Sequence, residues 1–494
     1  MTSSSLSHKA ASAGLWVVGG RLLARVLDLV SLLVLARLLT PADFGIVAIA
    51  TTILSVVEAI LEIPVNQALI RQQVISPAML STAFSLSLVR GVAVAAMMIL
   101  LGWPLAIFYD NPALFPLTCV LSLAPALRGL TSPGMVVFMR EFDFRREFAL
   151  DVSAKLATLI VASSIALTTG SYWALAAGSV VGPLAATLLS YVFAPLAPRI
   201  TFSEWPIFRD MVGWNTVSQI LNAFNWQTDR LLLPRYTSVS AFGAFSVADT
   251  LASIPLQTVV VPLLRPLNAA FAKLTNDAER SAAYGTASAA VVTLAAPALI
   301  GIALLAEPAL RIVVGEKWVS AAPILSWIAT IGLFGLPLTA LSPLVMALDR
   351  TRYGTLRMAI EMCVKLPATI LGVMYYGIEG ALAARALAAV AVYTANVFIV
   401  RHLIGMSVGA QLKAVLRPAL AGASMATLLW FLRPLLDGLP VGLLLVLLAG
   451  LVGLAGIALF WLVILTSWQI VGRPKGIEAL AVQKMRAQVE RFRA

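Results

Sequence analysis

Apolar positions along this chain fall in continuous runs of about 20 residues, not in the alternation of a strand or the one-sided stripe of a soluble helix. The runs lie at roughly 13–36, 43–63, 80–107, 113–138, 149–169, 172–196, 211–233, 239–270, 283–306, 321–348, 355–376, 379–400, 412–436 and 440–468. Each is long enough as a helix to cross a hydrocarbon layer of about 30 Å, and none has the period-two pattern of an outer-membrane strand. The pattern predicts an all-α polytopic membrane protein with about fourteen transmembrane helices, twelve being the alternative count.

The pattern also repeats. Displaced by 198 positions, ARLLTPADFG (36–45) falls on PRYTSVSAFG (234–243), and the register pairs Arg37 with Arg235, Phe44 with Phe242, Gly45 with Gly243, Thr52 with Thr250 and Pro64 with Pro262. A displacement of 210 pairs Ser132 with Ser342, Pro133 with Pro343, Arg140 with Arg350, Asp151 with Glu361 and Lys155 with Lys365. Chance similarity between apolar helices explains matched leucines far better than matched Arg, Gly and Pro. An offset spanning six helices, an even number, makes the repeats parallel, as in transporters whose cargo passes between two halves. The expected organisation is an N-terminal lobe at 1–196, a C-terminal lobe at 211–402, two extra helices at 412–468 and a basic tail at 469–494.

Composition agrees with a lipid solvent: 60% of residues are hydrophobic, 12% are charged, and mean hydropathy is +0.93. The polar opening MTSSSLSHKAASAG has no short apolar stretch with a cleavage site, so the first helix is expected to be retained. With the N-terminus cytoplasmic, alternate loops collect about 21 cations on that side against about five outside, which places both termini in the cytoplasm. The net charge of +12 is then mostly topology, and a nucleic-acid partner is not indicated. Cys119 and Cys363 read as small buried apolar residues, with no disulfide framework and no CxxC metal or redox motif. Trp103, Tyr109, Tyr172, Trp173 and Trp318, near loop ends, read as interfacial anchors. In the tail, Ile477, Leu480, Met485, Val489 and Phe492 alternate with Lys and Arg, which suits an amphipathic surface helix or a solvated tail equally.

Charges inside the spans carry the candidate chemistry. Arg21, Arg25, Arg90, Arg128, Lys155, Arg230, Arg265, Lys365 and Arg385 fall within predicted helices. Each costs about 2.5–3.5 kcal/mol at the bilayer centre unless it faces water or an acid or snorkels. Arg21, Arg25 and Asp28 share one face of the first helix, as an anion site or as a structural ion cluster. Asn215, Gln219, Asn222, Trp226, Asp229 and Arg230 form a polar face on the seventh. Pro255, Pro262 and Pro266 predict a bent, hinge-like eighth helix, which also carries Asp249, Gln257 and Arg265. The i, i+4 pairs Asp151/Lys155 and Glu361/Lys365 read as structural anchors near the cytoplasmic ends.

At ARLLTPADFG and the following PVNQALIRQ (64–72), the chain resembles the Wzx-type flippases of the polysaccharide transporter family, within the multidrug, oligosaccharidyl-lipid and polysaccharide export superfamily. The resemblance implies two six-helix lobes in a V, alternately open inward and outward in a bacterial inner membrane. It implies a polyprenyl-pyrophosphate-linked glycan as cargo, moved from the cytoplasmic to the periplasmic leaflet for O-antigen, capsule or exopolysaccharide assembly. The count of fourteen helices leans toward the peptidoglycan-precursor flippases. No residue-level signature carries over, so the site residues rest on physical argument.

A pyrophosphate seeks cations in a dehydrated path, for which Arg21, Arg25, Arg90 and Arg265 are the candidates. Asn215, Gln219 and Asn222 are candidates for sugar hydroxyls, and Asp28, Glu58, Glu62, Asp229 and Asp249 for a coupling proton or Na⁺. The chain has no GxxxxGK[ST] phosphate loop, so a gradient or the membrane potential must supply the energy, and no cofactor or metal is expected. Expected partners are the lipid-linked glycan, membrane lipids and polysaccharide polymerase machinery; a monomer suffices, because the repeat supplies both lobes. The rivals are a cation-coupled drug exporter, which would favour an acidic path, and a glycan polymerase or ligase, which would carry a large external loop.

Overall fold

The computed structural model describes residues 3–141 and 143–472, with side chains there except those of 3–18, 21, 210–218, 220, 221 and 224. The basic tail therefore lies outside the described residues from 473 on. Among the described residues every regular element is helical, and ten helices are long and apolar enough to cross a membrane. The protein is a helical polytopic membrane protein.

Packing divides the chain into units of Met1–Ser246 and Val247–Ala494. The first contains α1 (Ser3–Leu38), α2 (Pro41–Ile60), α3 (Val65–Arg71), α4 (Pro77–Phe108), α5 (Leu114–Leu121), α6 (Leu123–Gly129), α7 (Met135–Arg140), α8 (Arg145–Thr169), α9 (Trp173–Phe193), α10 (Trp205–Tyr236) and the start of α11 (Val239–Pro255). The motif at 36–45 is the physical start of α2. Pro41 takes the first turn, the Thr40 hydroxyl accepts from the Asp43 N–H at 3.3 Å, and the Asp43 carboxylate accepts from the Thr40 N–H at 2.9 Å. At position 238, 198 residues on, Ser238 accepts from the Ala241 N–H at 3.2 Å at the start of α11. Small residues let the helices of this unit approach: Leu35 of α1 and Leu39 just past its end bury against Ala162 and Ala166 of α8 and Ala174 of α9. Phe208 anchors the start of α10 on Leu69, Leu80, Leu86 and Val136.

The second unit contains the rest of α11, α12 (Val261–Ala272), α13 (Asp277–Leu304), α14 (Ala306–Val313), α15 (Ala322–Gly335), α16 (Leu341–Ala347), α17 (Arg352–Ile404), α18 (Val408–Leu432) and α19 (Leu443–Ile470). A π-helical segment, Leu256–Val260, joins α11 to α12 directly after Pro255. A widened turn of this kind accommodates the missing N–H of a proline, and it falls between Pro255 and Pro262. The 53-residue α17 is interrupted at Gly377 (φ 56°, ψ −127°), where the chain folds back so closely that a Cβ on Gly380 would overlap the Gly372 carbonyl. The core joins Val291, Ala295 and Leu299 of α13 to Met425 and Leu429 of α18 and to Phe460 and Ile464 of α19.

The outer surface is apolar, with residues such as Leu443 (75% exposed) and Ile470 (84%), as hydrocarbon solvent permits. This corrects the reading of the cysteines: Cys363 is exposed and Cys119 only half-buried, because lipid accepts a thiol as readily as a core does. Tyr109 and Trp318, read as interfacial anchors, are instead buried. The Tyr109 hydroxyl donates to the Leu231 carbonyl at 2.9 Å, and burial pushes its pKa up to about 12.

Candidate functional site

The site begins with α2. At 100° per residue, Ser55, Glu58 and Ala59 fall within about 100° of one face, and Glu62 follows two residues past the end of the helix. Two cavities of the first unit adjoin that face. One, of about 430 Å³, is lined by Glu58 and Glu62 with Asn66 and Gln67 of α3, Ser87 and Arg90 of α4, and Arg128 of α6. The other, of about 380 Å³, is lined by Ser55 and Ala59 with Gln219, Asn222, Trp226 and Gln227 of α10.

Local sequence explains how two arginines come to share the first cavity. Each precedes a glycine, Arg90–Gly91 and Arg128–Gly129. At these glycines α4 and α6 touch backbone to backbone: a Cβ on Gly91 would lie 2.6 Å from the Pro125 carbonyl, and one on Gly129 would lie 2.6 Å from the Ser87 carbonyl. The preceding residue on each helix is thereby carried toward the same space. Arg90 pairs with Glu62, and Arg128 with Glu58. Arg90 is further fixed by donating from Nε to the Leu61 carbonyl at 3.1 Å and from a terminal nitrogen to the Glu58 carbonyl at 3.4 Å. Those carbonyls belong to the C-cap and the last turn of α2, where the helix dipole is negative and a cation is favoured.

In the second cavity, Gln219, Asn222 and Trp226 recur at three- and four-residue steps, and Trp226 is 74% exposed. Amides beside an exposed indole offer hydrogen bonds and an apolar platform together.

The structure therefore collects Arg90, Glu58 and Glu62, which the sequence assigned to separate tasks, into one cluster and adds Arg128. It gathers Gln219 and Asn222 in the neighbouring cavity. The side chains of Arg21 and Asn215 lie outside the described residues. Arg25 is exposed on α1; Asp28, instead of closing an ion cluster within its own helix, pairs with Lys155 of α8 at 2.5 Å, and Asp151 interacts electrostatically with both. Asp229 is fully buried in α10, and so lies off the exposed face that holds Trp226. Arg265 is exposed on α12 in the second unit, where Asp249 accepts from Arg385 at 2.6 Å and Glu361 accepts from Arg357 at 3.2 Å. The anchor residue Lys365 is buried one turn beyond Glu361. Sequence reasoning named Arg128 as a charge within a span but gave it no site role, and it missed Asn66 and Gln67; for Arg128 the two Arg-Gly pairs in apolar helices were the available signal.

Over 310 residues, 61% of this chain and 62% of the relative's length, the chain is 28% identical to the succinoglycan biosynthesis transport protein ExoT of Rhizobium meliloti (strain 1021). It is 24% identical to the lipopolysaccharide biosynthesis protein WzxC of Escherichia coli (strain K12), over 76% of this chain and 77% of the relative. The fold is similar to that of the lipid II flippase MurJ in an inward closed conformation, with a TM-score of 0.70 at 13% identity over 92% of this chain and 99% of that one. It is also similar to an inward-facing multidrug resistance MATE family transporter of the MOP superfamily, with a TM-score of 0.61 at 12% identity over 81% and 95%. At such identities the likeness is one of fold. The family model described as polysaccharide biosynthesis protein matches residues 34–323, more than half of the chain, and the chain belongs to that family.

Proposed function

We propose that this protein is a flippase that carries a polyprenyl-pyrophosphate-linked oligosaccharide from the cytoplasmic to the periplasmic leaflet of a bacterial inner membrane, for assembly of a surface polysaccharide. The observation that carries the reading is the juxtaposition along α2: a cavity with Arg90 and Arg128 beside one with Gln219, Asn222 and Trp226. A lipid-linked glycan presents its diphosphate next to its first sugar, and the two cavities offer guanidiniums next to amides and an indole. Family membership, and the transport and lipopolysaccharide roles in the names of its relatives, support the same cargo class. On this reading the chain crosses the membrane about fourteen times as two parallel repeats and two further helices, with both termini cytoplasmic, and works by alternating access as a monomer. A proton or Na⁺ is the coupling ion.

The test is the lipid-linked glycan pool of cells lacking the gene, with an external glycosidase reporting the leaflet. A protected, cytoplasmic species must accumulate. An externally accessible species would assign the defect to polymerisation or ligation, and no accumulation would reject the cargo.

A further inference from the structure

The charged cavity holds its own anions. Its four ionisable lining groups are Glu58 from the last turn of α2, Glu62 two residues beyond that helix, Arg90 from α4 and Arg128 from α6, and the groups contributed by the neighbouring α3 segment and by Ser87, Thr131 and Ser132 are neutral. Arg140 of α7 is turned elsewhere and donates to the Gln73 carbonyl at 2.8 Å. Each guanidinium is matched to one carboxylate, so the set is formally neutral. A phosphate entering this space must exchange with a carboxylate to reach a guanidinium.

The geometry makes that exchange asymmetric. Arg90 is bonded to two main-chain carbonyls at the end of α2 as well as to Glu62, so losing the carboxylate does not release the arginine. Among the described residues, the side chains of Glu58 and Glu62 bond only to the two arginines. Once displaced, they lie four residues apart in sequence around the C-terminal end of α2, in one cavity with a polyanion. Like charges at that range favour the protonated acid.

We infer that Glu58 and Glu62 are internal competitors for the anionic headgroup, and that binding a diphosphate at Arg90 and Arg128 drives proton uptake by these carboxylates. Each displaced carboxylate takes one proton from water to become a neutral acid, and no other bond is made or broken. Cargo loading and proton coupling then occur in one cavity. The inference rests on the anionic-headgroup part of the proposed function but does not require transport.

The experiment uses the purified full chain in nanodiscs, with inorganic pyrophosphate as the probe. Calorimetry in buffers of different ionisation enthalpy counts the protons exchanged. The wild type should take up about one proton or more per pyrophosphate relative to the Glu58→Gln/Glu62→Gln variant, which should bind about tenfold tighter or better for want of its competitors. Equal proton counts in the two proteins overturn the inference while leaving the anion site standing. No pyrophosphate binding by either overturns both the inference and the anionic reading of the cavity. The wild-type measurement stands even if the double variant folds poorly, and Glu62→Gln alone should show a partial effect. A soluble short-chain prenyl pyrophosphate should reproduce the uptake, whereas short-chain phosphatidylglycerol should not; uptake with the glycerophospholipid would make the site one for bulk lipid headgroups and overturn the assignment to cargo.

Discussion

Gly45 of α2 and Gly243 of α11 meet backbone to backbone in a reciprocal contact. A Cβ on Gly45 would overlap the Val239 carbonyl, and one on Gly243 would overlap the Pro41 carbonyl and come within 2.8 Å of the Gly45 nitrogen. Positions 41 and 239, like 45 and 243, are 198 apart, so each glycine faces the first helical residue of the other segment. Gly45→Ala and Gly243→Ala should each cost about 1–3 kcal/mol through overpacking that rigid main chain cannot relieve. Gly301→Ala, in a helix with nothing within 4 Å, should be neutral or stabilise by about 0.5–1 kcal/mol. Thermal unfolding in detergent compares the three, and a shared melting point would refute the contact.

Gly377 poses a different constraint, conformational instead of steric. Its φ of 56° and ψ of −127° lie outside both helical regions and are open in practice only to glycine. Gly377→Ala should cost about 1–3 kcal/mol or more, because the turn must distort or the hairpin must part at Gly372 and Gly380. Gly354→Ala, in the same helix with open space at its Cβ, is the control. Unchanged stability and protease resistance in Gly377→Ala would mean that the reversal does not depend on this residue.

The lipid solvent made the elements legible, since continuous apolar runs need no knowledge of packing partners. The 355–376 and 379–400 runs are the two arms on either side of Gly377, whose non-helical backbone separates them. The partners of charged residues were less legible. Spacing along one helix placed Lys155 with Asp151, but the Asp28 carboxylate of another helix stands 2.5 Å away. Glu58 and Glu62 could be read as one face, but their pairing with Arg128 and Arg90 depends on the crossing at Gly91 and Gly129, which is a tertiary fact.

Asp249 and Arg385 offer a measurable ion pair within the second unit. They stand 2.6 Å apart, with side chains only 20% and 16% exposed, so water screens them weakly. Asp249→Asn and Arg385→Gln should each destabilise by about 1.5–3 kcal/mol, the range for a charge-assisted hydrogen bond. Both residues have further contacts, so the pair is isolated by a double-mutant cycle, with an expected coupling of about 1 kcal/mol or more. Strict additivity would assign the cost to the other contacts.

Trp226 separates a wet glycan path from a lipid-facing surface. Its 74% exposure suits either, but its cavity neighbours Gln219 and Asn222 are polar, and lipid would leave their amides without partners. In a Cys119→Ala/Cys363→Ala background, needed because Cys363 is itself exposed, Gln219→Cys should react with a water-soluble thiol reagent, while the buried Met98→Cys should not. Trp226→Ala should lower transport of lipid-linked glycan by about tenfold, the worth of one aromatic contact, and Trp226→Phe should retain most of it. Full protection of position 219 together with wild-type transport by Trp226→Ala would place this face of α10 in lipid and remove the cavity from the cargo path.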